Sequence, residues 1–493
     1  VVGGPSAGGA LTVLTIAVLG DLPLDNETVM TGTIQSGGLI GPVAGIKQKA
    51  MAAQRAGFKR VIVPSLEIGR NETDNLSLNV EIIPVISLEE ALEVFTGKTF
   101  LEPTATVNRP AEYTERMRTI AHDLCGRATQ LNDSLSPQLK DIEDNQYNLS
   151  VSRMSQARTA LDQEAYYSAA SLCFSANLQL RNLQLSEKTA DELRSYADNL
   201  LDRIDETTAE IRTLPLNTIS DLQTYMIVAE RLEEAKENLA SEDPANYSHE
   251  TVAYAIERYN SAATWSQFFG MQGEALIVDQ KTMQEGCLRK LSEAEDRLNY
   301  LGLFATQLVD PLRVRMKAAY TDYNRGNSAL CMYRASIIKA EADVMLSSIA
   351  VEADQIQDLI SQKLNATRRV ISKQQERGLV PIMGISYYEY AKTLQESEPM
   401  SSLTFAQYAL ELSNLDMYFP KKQTLRTIDI SSVPWTTTHL LLSGLIGIAI
   451  GALIMLPKRK RRIVSRMNET KQPPKKRRTP QKKAAKKSRK VTK

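Results

Sequence analysis

The sequence predicts an α+β domain at the N-terminus, then a mostly α-helical domain, one transmembrane helix and a basic tail. Three observations predict this. Helical spacing after Ser6 and after Gly45 alternates with strand-like runs at 60–63 and 80–85. From about Ala111 to Leu415 the chain is rich in Ala, Leu, Glu, Gln and Arg and poor in glycine. Leu440 to Leu456 holds no charged residue and runs straight into Lys458-Arg459-Lys460-Arg461-Arg462. The expected boundaries are 1–97, a linker at 98–111, a helical domain at 112–420, a span at 435–456 and a tail at 457–493.

The first element is a helix after Pro5. Proline suits a first helical turn, and Ala10, Leu11, Leu14 and Val18 recur at helical spacing. Ser6 therefore sits at a helix N-terminus, where free N–H groups and the dipole suit an oxyanion. A serine nucleophile needs a base. His122, His249 and His439 all lie beyond the first hundred residues, which excludes a Ser-His-Asp triad within this region. On a helix over 45–56, Ile46, Lys49, Ala50 and Ala53 share one face, while Lys47 points away with Met51 and Gln54. Lys49 is the lysine drawn toward the core, and burial disfavours its charged form, as a lysine base requires.

Arg60-Val61-Ile62-Val63 reads as a strand, and residues 80–85 as an edge strand because of Pro84. Ser87 reads as an N-cap with Glu90 three residues on, opening a helix that ends near Gly97. Gly97-Lys98-Thr99 echoes a phosphate loop, but Leu92 stands where that motif needs glycine. In the helical domain, breaks are expected near Pro137, Pro215, Pro244, Pro311, Gly326, Pro381 and Pro399. Tyrosines mark its apolar faces and read as core packing. Cys125 precedes Cys173 by 48 residues and Cys287 precedes Cys331 by 44. Four cysteines permit three pairings. A duplicated helical unit, each copy pinned by one disulfide, would explain the two similar spacings; four buried thiols is the bland reading.

The net charge of +1 hides an asymmetry: residues 458–493 carry +17, leaving −16 on the rest. Trp435 to Leu456 is 22 residues, enough to span about 30 Å of hydrocarbon. The positive-inside rule then puts the tail in the cytoplasm and the acidic body outside the cell membrane. Sequons at Asn26, Asn71, Asn75, Asn132, Asn148, Asn246 and Asn365 fall on that outer side. The tail could meet anionic lipid or RNA through charge alone. A topological anchor in membrane lipid is the expected role, and nucleic acid is not an expected partner.

Four separated blocks carry a resemblance. Gly4-Pro5-Ser6-Ala7-Gly8, Met30-Thr31-Gly32, Gly41-Pro42-Val43-Ala44-Gly45-Ile46-Lys47-Gln48-Lys49 and Gly57-Phe58-Lys59-Arg60-Val61-Ile62-Val63-Pro64 resemble the proteolytic domain of the Lon protease family. The order and spacing match without gaps from Ser6 to Lys49. The resemblance implies Ser6 as nucleophile, Lys49 as general base and Thr31 beside the dyad. Gly3 stands where many members carry an acidic residue three places before the serine. Family domains have further strands upstream of the serine, so a chain starting at Val1 is expected to be a fragment, lacking half of the fold. The expected function is a membrane-anchored, ATP-independent serine endopeptidase of archaeal Lon-like type, acting on extracytoplasmic proteins. It needs protein or peptide substrates and no metal or nucleotide cofactor. The family's common hexamers imply a homo-oligomer. The alternative is a scaffold whose helical domain binds a partner, with a vestigial or self-processing protease domain.

Overall fold

The computed structural model describes residues 5–65, 78–100, 106–141, 145–349 and 351–422, together with Leu445. Residues Val1–Gln423 form one compact unit, and Thr424–Lys493 are a second.

In the N-terminal region a three-residue 3₁₀ turn, Pro5–Ala7, leads into α1, Gly8–Leu19. β1 (Thr28–Met30), β4 (Arg60–Pro64) and β5 (Glu81–Val85) form a parallel sheet in the order β1-β4-β5. Val29 sits opposite Val61, and Val61 opposite Ile82. Between β1 and β4 come a hairpin of β2 (Thr33–Ile34) and β3 (Ile40–Gly41), then α2, Ile46–Arg55. α3, Leu88–Thr96, follows β5.

Side-chain alternation along β4 explains the layering. Ile62 points to one face and packs with Val13, Val85, Leu92 and Phe95 from α1, β5 and α3. Val61 and Val63 point to the other, with Ala53 of α2 and Val80. Each fully buried aliphatic side chain here contributes roughly 1.5–3 kcal/mol. The α+β expectation is thus corrected: the sheet is small and parallel with helices on both faces, and the described residues as a whole are mostly helical. Pro84 does sit on the edge strand, and Ser87 accepts from the Glu90 N–H at the start of α3.

The helical region runs through α4 (Ala111–Ser134), α5 (Asn145–Asp162), α6 (Tyr166–Leu185), α7 (Ala190–Ile211), α8 (Ile219–Ala240) and α9 (His249–Trp265). It continues through α10 (Gln280–Leu301), α11 (Thr306–Asn324), α12 (Ser328–Ile349), α13 (Ile356–Glu376), α14 (Ile382–Leu394) and α15 (Pro399–Leu412). Most expected breaks fall between these helices. Pro311 does not: it lies inside α11, where its missing N–H leaves only the carbonyl of exposed Gln307 for solvent to satisfy.

Two disulfides join Cys125 to Cys173 and Cys287 to Cys331. Each ties a long helix to the second helix after it, α4 to α6 and α10 to α12.

The expectation of a membrane-spanning helix, and with it the single-pass placement with an outward body, is corrected. No helix among the described residues is long and apolar enough to cross a membrane. The most buried helix, α12, illustrates why: it carries Arg334, Lys339, Glu341 and Asp343, each held by a salt bridge. The segment 435–456, Leu445 apart, and the tail 457–493 lie outside the described residues.

Candidate functional site

Ser6 lies in the 3₁₀ turn ahead of α1 and is half-buried. Its carbonyl accepts from the Gly32 N–H at 2.9 Å and from the Thr31 hydroxyl at 3.3 Å. One turn on, the Gly9 N–H donates to the Gly32 carbonyl at 2.9 Å, and the Thr31 N–H donates to Ile62 of β4 at 3.0 Å. The serine turn is thereby laid against the end of β1. The approach needs glycine at position 9, since a Cβ there would stand 2.7 Å from the Met30 methyl and 3.1 Å from the Gly32 carbonyl.

Lys49 sits in the second turn of α2. The helix begins at Gly45, whose φ of 71° is left-handed and favours glycine; the Lys49 N–H returns to the Gly45 carbonyl at 3.0 Å. Ala50 and Ala53 are buried, Ile46 and Lys49 half-buried, and Lys47 exposed. The face division expected for α2 is therefore the observed one. The structure brings the Thr31 hydroxyl onto the Ser6 backbone.

Sequence reasoning missed what holds this region from below. The hairpin between Thr31 and Lys49 is plugged into the helical region. At its tip, Ser36 donates to the Glu411 carboxylate and accepts from Lys339 Nζ at 2.7 Å. Glu411 is buried between Lys290 at 2.5 Å and Lys339 at 2.6 Å. Arg297 donates to the Ile34 carbonyl at 3.0 Å while paired with buried Asp343 at 2.7 Å. Tyr300 donates to the Pro42 carbonyl at 3.2 Å. Leu39 packs against Ala366 and Leu410. No local signal marks these partners, because they lie hundreds of residues from the hairpin.

Lys363, 1% exposed, also meets the hairpin. It donates to Gln35 Oε1 at 2.8 Å and Gln407 Oε1 at 2.6 Å, both neutral acceptors. Burial pushes its pKa down to about 8, with Arg297 and Lys339 adding to the effect against Asp343. Between about 8 and the usual 10.5 the unfolded chain holds a proton that the folded one does not. Stability owed to this group therefore rises with pH across that window, by about 3 kcal/mol, and is lowest below pH 8. Guanidinium unfolding from pH 7 to 10 should show this slope in the wild type and lose it in Lys363→Met. An equal slope in both would exclude Lys363 as its source.

A family model described as the Lon protease (S16) C-terminal proteolytic domain matches residues 2–96. The Lon protease of Trichlorobacter lovleyi is 38% identical over 99 residues, covering 19% of this chain and 12% of that protein. The Lon protease of Phenylobacterium zucineum is 40% identical over 96 residues, 18% of this chain and 12% of its own length. Lon protease homolog 2, peroxisomal, of Xenopus laevis is 40% identical over 108 residues, 20% of this chain and 12% of that protein. The chain thus spans about an eighth of the length of these curated relatives. They are bacterial and eukaryotic, which corrects the archaeal expectation. Residues 2–96, which hold Ser6, Thr31 and Lys49, are similar to the C-terminal proteolytic domain of Lon protease.

Proposed function

We propose that the N-terminal region is a serine endopeptidase centre acting on protein or peptide substrates without ATP. The observation that carries this reading is the match of residues 2–96 to the Lon proteolytic domain. The half-buried Lys49 on the core-turned side of α2, and the Ser6 turn bonded to Thr31 and Gly32, are consistent with it.

In this reading the Ser6 hydroxyl attacks the scissile carbonyl. Neutral Lys49 takes the hydroxyl proton and returns it to the leaving amine. Backbone N–H groups at the start of α1 stabilise the oxyanion. The Thr31 hydroxyl, donating to the Ser6 carbonyl, keeps its lone pairs for an ammonium. A water then hydrolyses the acyl-enzyme, with Lys49 again as base.

The test is cleavage of an unfolded protein substrate by the full-length protein without nucleotide. Ser6→Ala and Lys49→Ala should each lower cleavage by at least about 10³-fold, whereas Lys47→Ala should leave it near wild type. Cleavage that survives both dyad substitutions, or an inert wild type, would sink the proposal and favour a scaffold role for the helical region.

A further inference from the structure

Far along the chain from Ser6, α4, α6, α8, α9, α12, α14 and α15 converge on a cavity of about 310 Å³. That is within the size range of small-molecule sites, roughly 300–1,000 Å³. Every lining residue comes from the helical region. The wall is aromatic: Tyr167 meets Trp265, Tyr387 and Tyr390 edge-on at 5.7–5.9 Å, and Tyr390 meets Phe405 at 4.7 Å.

Two arginines face this space. Arg258 is ion-paired, donating to Glu230 at 3.0 Å and also to Glu234, with its Nε left unbonded among the described residues. Arg231 is not. It is 8% exposed and lies over the Trp265 ring at 4.8 Å, yet its Nε and Nη1 have no hydrogen-bond partner among the described residues. Burial and then the neighbouring Arg258 push its pKa down, so the site holds this cation at a cost. Two unbonded nitrogens on a buried guanidinium are costly, and a ligand that bonds them would remove that cost.

We propose that this cavity binds a carboxylate attached to an aromatic or branched apolar group. The anion takes the open side of Arg231, and the apolar part sits among Tyr167, Trp265 and Tyr390. Three features select this chemistry. The planar fork of arginine suits a carboxylate. Glu230 and Glu234 are bonded to Arg258 and leave the Nε and Nη1 of Arg231 open, which is room for one carboxylate, and a dianion would meet Glu230. An aromatic box alone would suit a quaternary ammonium, but Arg231 inside the box repels a cation. The carboxylate could belong to a free acid or to the last residue of a peptide; both present the same groups. Leu124 and Phe174 line the cavity beside Cys125 and Cys173, so the first disulfide holds the wall that a ligand would press against.

The test is titration of the full chain, followed by calorimetry, with four probes. They are N-acetylphenylalanine, its amide, and a five-residue peptide ending in phenylalanine with a free or an amidated terminus. The acid forms should bind at least 10-fold more tightly than their amides. Binding of the free amino-acid derivative alone, or of the peptide as well, tells the two sources apart, and either supports the site. Arg231→Met should abolish the acid-over-amide preference while leaving the unfolding midpoint unchanged or higher, because it removes an unpaired buried charge. Equal binding of acid and amide, no binding at millimolar concentration, or binding of tetramethylammonium instead would overturn the proposal. The ratio on the unaltered protein decides the matter even where the variant does not fold.

Discussion

Glu411→Gln is expected to cost about 3–5 kcal/mol of stability, the range for breaking one partner out of a buried ion pair. The carboxylate serves two buried lysines and a hydroxyl. Lys290 and Lys339 flank it at 2.5 and 2.6 Å, and Ser36 donates from the hairpin tip. Burial alone would raise its pKa, but the two ammonium groups override that and hold it well below the usual carboxylate range. The sign of the pH effect follows. A depressed folded pKa contributes stability above the unfolded value, near 4.5, and loses it as pH falls. The variant should therefore be destabilised at neutral pH and converge on the wild type in strong acid. What it leaves behind sets the magnitude: two buried ammoniums facing Glu293 alone, a partly exposed carboxylate 2.9 Å from Lys290 and 3.8 Å from Lys339.

Two further readouts make this specific. Replacing the whole set together, Lys290→Met, Lys339→Met and Glu411→Leu, should be milder than Glu411→Gln, because the one charge left without its partners, Glu293, is partly exposed to water. Hydrogen exchange should report where the loss falls. The amides of Gln35 and Gly38, bonded to Leu39 and Gln35 within the hairpin, should exchange faster in Glu411→Gln. A loss under about 1 kcal/mol, or unchanged exchange at those amides, would mean that the network does not anchor the hairpin. Because the hairpin joins Thr31 to the start of α2, peptidase activity under the proposed function should fall along with its protection.

What could be read from sequence was what local chemistry writes. Gly45 and Gly97 open and close helices where left-handed backbone is needed, Ser87 caps α3, and Pro84 marks an edge. The cysteine count left three pairings and four free thiols open, and the pairing found is the one in which each bond spans one of the two similar spacings. The helical spacing that marks α1 does not tell which side is buried. Leu11, Leu14 and Val18 look like a core stripe but are exposed, while Gly9, Val13 and Ala17 are buried. The helix is apolar on nearly every side, so its periodicity carries no phase. Close contact with Gly32 then selects the face with glycine and alanine. The lysines under the hairpin were illegible for a different reason. A lone lysine in a helix ordinarily reads as solvated, and only the fold brings Lys363 to Gln35 across 328 residues. The tyrosines of α6 and α14 read as core packing. Most of their surface is that, and the space they leave around Arg231 depends on seven helices meeting.

Reduction of the two disulfides should occur in two steps and remove about 4 kcal/mol per bond. Loops of 48 and 44 residues set that figure through the entropy they deny the unfolded chain. The order follows from burial. Cys125 is partly exposed and lies, with Cys173, along a surface groove between α4, α5 and α6. Cys287 and Cys331 are fully buried between α10 and α12. A thiolate must reach a sulfur to open the bond, so mild dithiothreitol on the native protein should cleave Cys125–Cys173 first. Cys287–Cys331 should yield only under conditions that also unfold the helical region. Alkylation followed by mass spectrometry reads the order, and guanidinium midpoints read the two losses. Simultaneous cleavage would mean that native fluctuations expose both bonds alike. Because α4 and α6 also wall the aromatic cavity, the first cleavage should lower the midpoint and weaken carboxylate binding at once.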